Sequence, residues 1–181
     1  ITIAPIGHED ILQAAKVISD SFHTTPVVKA VFKGTGEKKL RQQRAVFEIM
    51  VNRFQRGAFV AKKNNEIVGF MRMVEWPDCQ PKPLEGLAML PAMIRTLGMI
   101  TPGILRFRGI WAKHDPKKPH MHLDPLTVAP EHQGKGIGSM LLQHFCESTD
   151  EKRLPAYLET DQERNVRLYN RFGFEIVGEA P

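Results

Sequence analysis

The first half of the chain carries apolar patterns of both helical and strand periodicity. The opening residues ITIAPI predict a short strand, and apolar residues that recur on one helical face after Glu9 predict a helix. A loop is predicted over residues 32–37 and a second helix over residues 40–54. The runs AFVAKK at Ala58–Lys63 and EIVGFMRMVE at Glu66–Glu75 flank an Asn-Asn pair, which is typical of a β-hairpin.

The second half of the chain alternates strands with helices. Strands are predicted over residues 120–128, 156–160 and 174–177, and helices over residues 139–148 and 162–171. This alternation favours parallel pairing in an α/β layer. Residues 84–111, between the two halves, are apolar but interrupted by prolines and a glycine, and therefore predict a set of short helices.

Composition and charge limit the classes of protein to which the chain can belong. The 181 residues are 42% apolar and 25% charged, which is typical of a single globular domain over residues 1–181. No apolar run reaches the roughly 20 residues of a membrane helix. A net charge of +5 without a continuous basic stripe is explained by a small anionic ligand as well as by nucleic acid. With two cysteines and no signal-peptide pattern, a cytoplasmic setting is predicted, although the sequence does not begin with Met.

Three glycines alternate with other residues where the helix near residue 139 begins, in EHQGKGIGSMLL. A Walker A loop is excluded because Lys135 precedes the later glycines, and a dinucleotide fingerprint is excluded because its third glycine would fall at Ser139. The spacing fits Q/R-x-x-G-x-G/A, in which bare N–H groups at a helix N-terminus hold a pyrophosphate. The residues of this loop are Gln133, Gly134, Lys135, Gly136, Ile137, Gly138 and Ser139. A helix start with incidental glycines is the alternative interpretation.

Histidines cluster just before this loop. His120, His122 and Asp124 alternate along their predicted strand, so they share one face unless a bulge intervenes at Asp124 and Pro125. A His-x-His pair on a strand can chelate a metal ion. The sequence offers no well-spaced fourth ligand, however, and strand histidines that line a polar pocket are the preferred interpretation. No metal is therefore predicted.

The stretch LTVAPEHQGKGIGSMLL resembles motif A of the GCN5-related N-acetyltransferase (GNAT) family, which binds acetyl-coenzyme A. The resemblance continues through YLETDQERNVRLYNRFGFEIVG and covers residues 119–178; before them, only the order of elements agrees. The motifs PHMHL, LTVAP, QGKGIGS, LET and RNVRLYNRFGF look closest to the puromycin N-acetyltransferase-like branch. The resemblance implies a GNAT-like α/β fold: a mixed, mostly antiparallel central sheet with splayed parallel strands at the coenzyme site, flanked by helices.

The resemblance also implies roles for individual residues. The strand residues whose backbone would pair with the pantetheine amides are Leu126, Thr127 and Val128. Residues 133–139 would cradle the pyrophosphate, Asn165 would bond to the pantetheine arm, and Tyr169 would stand near the coenzyme sulfur. Spacing supports the last two independently, because residues four apart on a helix share one face. A buried aromatic at Tyr169 and a turn residue at Asn165 are the alternatives.

The chemistry of acetyl transfer adds an acid and a base to this assignment. Tyr169 is the expected acid for the departing thiolate, since the pKa of a phenol lies near 10. Glu159, at the end of its strand, is the expected base for the attacking amine, with His122 able to relay the proton through water. A solvated or ion-paired glutamate is the alternative for Glu159.

In this family an insert such as residues 84–111 usually walls the acceptor pocket. Met89, Met93, Met99 and Trp111 would then form an adaptable apolar surface. A helical pair that completes the core, or a homodimer contact, is equally open. Relatives also usually continue past residues 174–177 into a strand that closes the sheet, so we expect an open edge there unless another segment pairs with it.

The predicted function is transfer of an acetyl group from acetyl-CoA to an amine of a small molecule by direct attack, without a metal. A coenzyme-binding regulatory module without turnover and a protein or peptide N-acetyltransferase are the alternatives. A nucleic-acid partner and a membrane partner are not predicted.

Overall fold

The structure, a computed structural model, describes residues 1–32, 36–79, 91, 94 and 101–179. Its strands are β1 (Thr2–Pro5), β2 (Ala58–Lys63), β3 (Glu66–Glu75), β4 (Met121–Val128) and β5 (Ala156–Leu158). Its helices are α1 (Ile11–Phe22), α2 (Pro26–Val31), α3 (Gly36–Arg53), α4 (Thr101–His114), α5 (Ile137–Glu151) and α6 (Glu163–Asn170). Within these ranges, no helix combines the length and the apolar composition that crossing a bilayer requires.

One sheet contains these strands in the order β1-β2-β3-β4-β5. The first four strands pair antiparallel, and β4 pairs parallel with β5, which confirms the predicted mixed sheet flanked by helices. The hairpin of β2 and β3 has its predicted bounds. Asn64 and Asn65 have φ angles of 50° and 68°, the left-handed values that its two-residue turn requires.

The neighbours of β4 change along its length. It pairs with β5 only from Met121 to Leu123, whereas residues 126–128 pair only with β3 in the described chain. Between these segments the register with β3 shifts, and Asp124 and Pro125 form the bulge that the sequence allowed for. One edge of residues 126–128 is therefore open, and the parallel strands are splayed as expected.

Two apolar clusters hold the helices against the sheet. α1 and α3 contribute Ile18 and Val51 to a cluster with the hairpin. α5 contributes Leu141 and Phe145 to a second cluster with β3 and β4. All four side chains are at most 1% exposed, so the end of α5 that carries the glycine loop is fixed by a fully buried contact.

The prediction of a strand over residues 174–177 is wrong. Residues 174–179 form neither helix nor strand, and Ile176 and Val177 are 62% and 84% exposed. The sequence there has strand propensity, but a strand also needs an edge with which to pair. β5 is only three residues long and ends at Leu158 rather than at the predicted residue 160, so the edge next to it is short.

The helix α2 is an addition to the predicted elements. Thr25 caps it, accepting a hydrogen bond from Val28 N at 3.4 Å, and Pro26 occupies its first turn. Both residues are typical of a helix start, but six residues are too few to show a clear apolar period.

Part of the predicted insert is one helix rather than several. Residues 101–114 form α4 without a break because Pro102 falls in its first turn, where proline is tolerated. Apart from residues 91 and 94, residues 84–100 lie outside the described residues. The predicted acceptor wall at Met89, Met93 and Met99 lies there, as does much of the segment predicted to contact a second copy.

We expect Gly69→Val to destabilise the fold by about 1–3 kcal/mol through overpacking. A Cβ at Gly69 would stand 3.0 Å from Leu141 Cδ1 and 3.2 Å from Thr127 O, beneath α5. Urea unfolding measures the change. As a control, Gly109→Ala in α4, where a Cβ meets nothing within 4 Å of the described residues, should leave the midpoint unchanged or raise it. Equal midpoints for Gly69→Val and the wild type would contradict this packing.

Candidate active site

The glycine loop adopts a conformation that most side chains disfavour. Gly134 and Gly136 have φ angles of 75° and 83°, and Gly136 is the residue immediately before α5. A Cβ at either position would meet no described atom within 4 Å. Backbone conformation rather than crowding therefore requires glycine here, and the space in front of the loop is open to a ligand.

The N-terminus of α5 faces this space with its backbone donors. No side chain in the described chain caps the helix, so its first-turn N–H groups and its dipole can bind an anion. Gln133 Nε2 donates to Val128 O at 3.0 Å, and Lys135 Nζ donates to Glu131 O at 2.8 Å. These bonds tie the loop to the end of β4 and to its own backbone.

The first residues of α5 have two different environments. Ile137 is 3% exposed and packs into the cluster under the helix, whereas Gly138 and Ser139 are half-buried. A Cβ at Gly138 would lie 3.7 Å from Val128 Cγ2 and 3.9 Å from Leu168 Cδ2. The glycine loop, the end of β4 and α6 therefore converge at Gly138.

The end of β4 contributes polar groups to the same region. Ala129 N donates to Val68 O on β3, and successive strand residues point their backbone groups to opposite edges, so those of Val128 point away from β3. Thr127 is 2% exposed, and its Oγ1 has no hydrogen-bond partner among the described residues. Leu126 is half-buried against the α5 cluster.

α6 places Asn165 and Tyr169 on one half-buried face, as their spacing predicts. Asn165 Nδ2 donates to Thr160 Oγ1 at 3.4 Å. Tyr169 packs edge-on against Phe174, with ring centroids 6.0 Å apart. Burial and the negative charge of Asp161 raise the pKa of Tyr169 to about 12, so the phenol keeps its proton at neutral pH.

A left-handed turn after α6 returns the chain to Tyr169. Gly173 has a φ of 84°, Phe174 N donates to Tyr169 O at 3.3 Å, and Gly173 N donates to Asn170 O at 3.1 Å. This is the hydrogen-bond pattern of a Schellman motif. The Phe174 ring stacks on buried Phe145 at 6.4 Å, so the turn directs Phe174 into the core.

The parallel pairing of β4 with β5 brings the two predicted base residues together. His122 Nε2 and Glu159 Oε2 are 2.9 Å apart, and their side chains are 10% and 18% exposed. Burial by itself lowers the pKa of His122, but contacts with Cys79 and Glu159 and the charges of Glu159 and Asp124 raise it to about 10. Glu159 and His122 therefore act as one hydrogen-bonded unit.

The structure adds two residues that the sequence pattern did not identify. Asp115 Oδ1 lies 3.0 Å from His120 Nε2, and Cys79 Sγ lies 3.7 Å from Asp115 Oδ2. Both residues come from segments outside β4, so no local spacing could have shown them. Asp124, by contrast, is turned to solvent by the bulge and does not join His120 and His122.

These features define a class of protein. A mixed sheet with splayed parallel strands, next to a glycine loop at a helix N-terminus, is the architecture of acetyl-CoA-dependent acetyltransferases. The model of the Acetyltransferase (GNAT) family matches residues 28–174. The chain belongs to this family.

The individual relatives match only part of the chain, at modest sequence identity. The spermine/spermidine N(1)-acetyltransferase of Bacillus subtilis (strain 168) is 35% identical over 69 residues, which are 36% of this chain and 45% of that protein. The matched part of the chain therefore spans less than half the length of this curated relative.

Solved structures of other acetyltransferases share the fold over nearly the whole chain. A protein described as histone acetyltransferase HPA2 and related acetyltransferase from Corynebacterium glutamicum superposes with a TM-score of 0.74 at 23% identity, over 99% of this chain and 87% of that chain. A GNAT family acetyltransferase from Brucella melitensis, solved in complex with acetyl-CoA, superposes with a TM-score of 0.54 at 15% identity, over 97% and 82%. These likenesses confirm the GNAT α/β fold.

We expect Gly136→Ala to weaken coenzyme A binding at least tenfold, because its methyl group would enter the space in front of the α5 N–H groups and the φ of 83° would be strained. Isothermal titration calorimetry with coenzyme A measures the affinity. Gly36→Ala, at the start of α3, is the matched control, since its φ is 77° and it also has no described atom within 4 Å. Both variants should lose about 1–2 kcal/mol of stability to strain, but only Gly136→Ala should lose affinity. Equal affinities of Gly136→Ala and the wild type would contradict the placement of the pyrophosphate at this loop.

Proposed function

We propose that the chain transfers an acetyl group from acetyl-CoA to an amine of a small molecule by direct attack. The observation that carries this proposal is the convergence at Gly138 of the glycine loop, the open end of β4 and the helix that bears Tyr169. This arrangement fits a coenzyme whose pyrophosphate lies at the loop and whose thioester reaches α6. The name of the Bacillus relative, a polyamine acetyltransferase, supports an alkyl amine as the acceptor.

Each part of the coenzyme has residues that fit it. Residues 133–139 would hold the pyrophosphate through the N–H groups of α5 and the charge of Lys135. On the open edge of residues 126–128, the backbone groups of Leu126 and Val128 would pair with the pantetheine amides, while those of Thr127 between them point to β3. Asn165, half-buried on α6, would bond to the same arm. The acetyl thioester supplies the activated carbonyl.

The residues around the thioester would manage one oxyanion and two protons. As the C–N bond forms, Val128 N–H would stabilise the tetrahedral oxyanion, since its backbone faces away from β3. As the C–S bond breaks, Tyr169 would donate a hydrogen bond or a proton to the thiolate. A phenol with a pKa of about 12 is a weaker acid than a thiol near 8.5, so complete proton transfer to the thiolate is uphill. Tyr169 would therefore act by sharing its proton with the sulfur as the C–S bond breaks.

Glu159 would receive the proton that the amine loses, directly or through water, and His122 Nε2 would hold its carboxylate in place. Glu159 follows the carboxyl end of β5 by one residue, and open α/β sheets bind ligands at such ends. We place the reaction in a reducing cytoplasm because Cys79 and Cys146 are both free thiols. Membership of the puromycin N-acetyltransferase-like branch and a homodimer remain predictions.

The acceptor class can be tested by following coenzyme A release from acetyl-CoA across an amine panel. The panel should contain polyamines, an aminonucleoside of the puromycin type, and lysine-containing peptides. Turnover with the small amines supports the proposal. Turnover restricted to peptides would make the chain a protein acetyltransferase, and coenzyme binding without turnover on any acceptor would make it a regulatory module.

We expect Tyr169→Phe to lower kcat by roughly 10²–10⁴-fold while changing coenzyme affinity little, because general acid catalysis contributes about that factor. Ser148→Ala is the control: it also removes a single hydroxyl, which donates to His144 O at 2.8 Å near the C-terminal end of α5 and has no assigned role in the reaction. Steady-state kinetics with a saturating amine, together with calorimetry, separates the two effects. Wild-type kcat in Tyr169→Phe would assign protonation of the thiolate to water.

A further inference from the structure

We propose that Cys79, Asp115, His120 and His122 bind a divalent transition-metal ion, with Zn²⁺ the best-matched occupant. Each residue offers one ligand atom, and these four atoms all lie within 4.8 Å of one another. Cys79 follows β3, Asp115 follows α4, and the two histidines belong to β4 and the residue before it. An ion there would join three segments of the chain.

The ligand atoms lie near the spacing of tetrahedral coordination, with Oδ1 of Asp115 facing the two histidines and its Oδ2 facing Cys79. Metal–ligand bonds of about 2.0–2.3 Å place the ligand atoms of a tetrahedral Zn²⁺ roughly 3.3–3.6 Å apart. Asp115 Oδ1 lies 3.0 Å from His120 Nε2 and 3.5 Å from His122 Nδ1, and Cys79 Sγ lies 3.7 Å from Asp115 Oδ2. A set of one sulfur, two imidazoles and one carboxylate also suits Zn²⁺ or Co²⁺ better than Mg²⁺ or Ca²⁺.

The hydrogen bonds on the outer side of each ring fix which nitrogen faces the cluster. His120 Nδ1 lies 2.8 Å from Lys118 O, and His122 Nε2 lies 2.9 Å from Glu159 Oε2. A carbonyl or carboxylate oxygen can only accept, so each of these nitrogens carries the proton. With an ion bound, each ring would be neutral, and its other nitrogen would point a lone pair at the cluster, as in the outer contacts of metal-bound histidines.

Burial makes this arrangement costly without a cation. The His120 side chain is 2% exposed and the His122 side chain is 10% exposed. Neither His120 Nε2 nor His122 Nδ1 has a hydrogen-bond partner of acceptable geometry in the part of the chain that the structure describes. Buried nitrogens that face one carboxylate need a positive charge between them, which either a metal ion or an additional proton on each ring supplies.

Cobalt binding distinguishes these two occupants without any measurement of turnover. The full chain, prepared without a histidine tag and treated with chelator, is titrated with Co²⁺. We expect one equivalent to bind, with the visible bands of tetrahedral cobalt and a sulfur-to-cobalt charge-transfer band. Added Zn²⁺ should displace the Co²⁺ and raise the melting temperature of the chelated protein.

Matched variants assign the ligands. Cys79→Ser should lose the charge-transfer band. Cys146→Ser, which changes the second cysteine of the chain and lies on α5, should keep it. Glu159→Gln should weaken Co²⁺ binding by roughly 10–100-fold, since outer-contact variants of metal histidines lose about that much. Because Cys79 and Cys146 are only half-buried, their serine variants should fold and so decide the test.

Two results would overturn the metal site. In the first, circular dichroism shows that the wild-type protein is folded, but it binds no more Co²⁺ than a Cys79→Ser/His122→Ala variant. Protons rather than a metal ion would then occupy the cluster. The other is a charge-transfer band that survives in Cys79→Ser and disappears in Cys146→Ser.

Discussion

The bulge at Asp124 and Pro125 divides β4 into two parts with different neighbours. Before the bulge both edges of the strand are paired, and His122 is held between β3 and β5. After it, β3 is the only neighbour of the strand among the described residues. Val128 O accepts a hydrogen bond from Gln133, and the N–H of Val128 faces the open edge. A buried backbone group without a partner costs about 1–3 kcal/mol, so such an edge must face water or a ligand. The coenzyme site proposed here lies on that open part of β4.

The groups next to the two parts of β4 also differ in the charge that their surroundings favour. Around Tyr169, burial and a nearby carboxylate both favour the neutral phenol, so this side can donate a hydrogen bond without becoming charged. Around His122, carboxylates and a thiol favour positive charge in a buried place. A single strand thus connects a neutral donor site with a site that attracts cations. The bulge turns the Asp124 side chain to solvent, from where its charge still raises the pKa of His122.

Local patterns predicted the elements whose causes are local. The β2–β3 hairpin follows from two strand-forming apolar runs and two asparagines that tolerate a left-handed backbone. The glycine loop follows from residues whose conformation only glycine adopts easily. The strand predicted over residues 174–177 does not form, because strand propensity does not show whether a neighbouring strand has a free edge with which to pair. Asp115 and Cys79 could not be found from the sequence, because they meet only when α4 and β3 are folded against β4, and they lie 36 residues apart along the chain.

The Schellman turn at Gly173 makes the position of Tyr169 depend on a small and weakly anchored unit. α6 has eight residues, none of them fully buried, and this unit packs on the α5 cluster through partly buried side chains, namely Leu168, Tyr169, Phe172 and Phe174. Such a unit can open by local unfolding while the sheet and α5 stay intact, at a free energy well below that of global unfolding. The fraction of molecules with a correctly placed phenol would then be set by this local equilibrium. Amide hydrogens of α6 would exchange faster than those of β3, and a ligand that contacts α6 would slow them selectively.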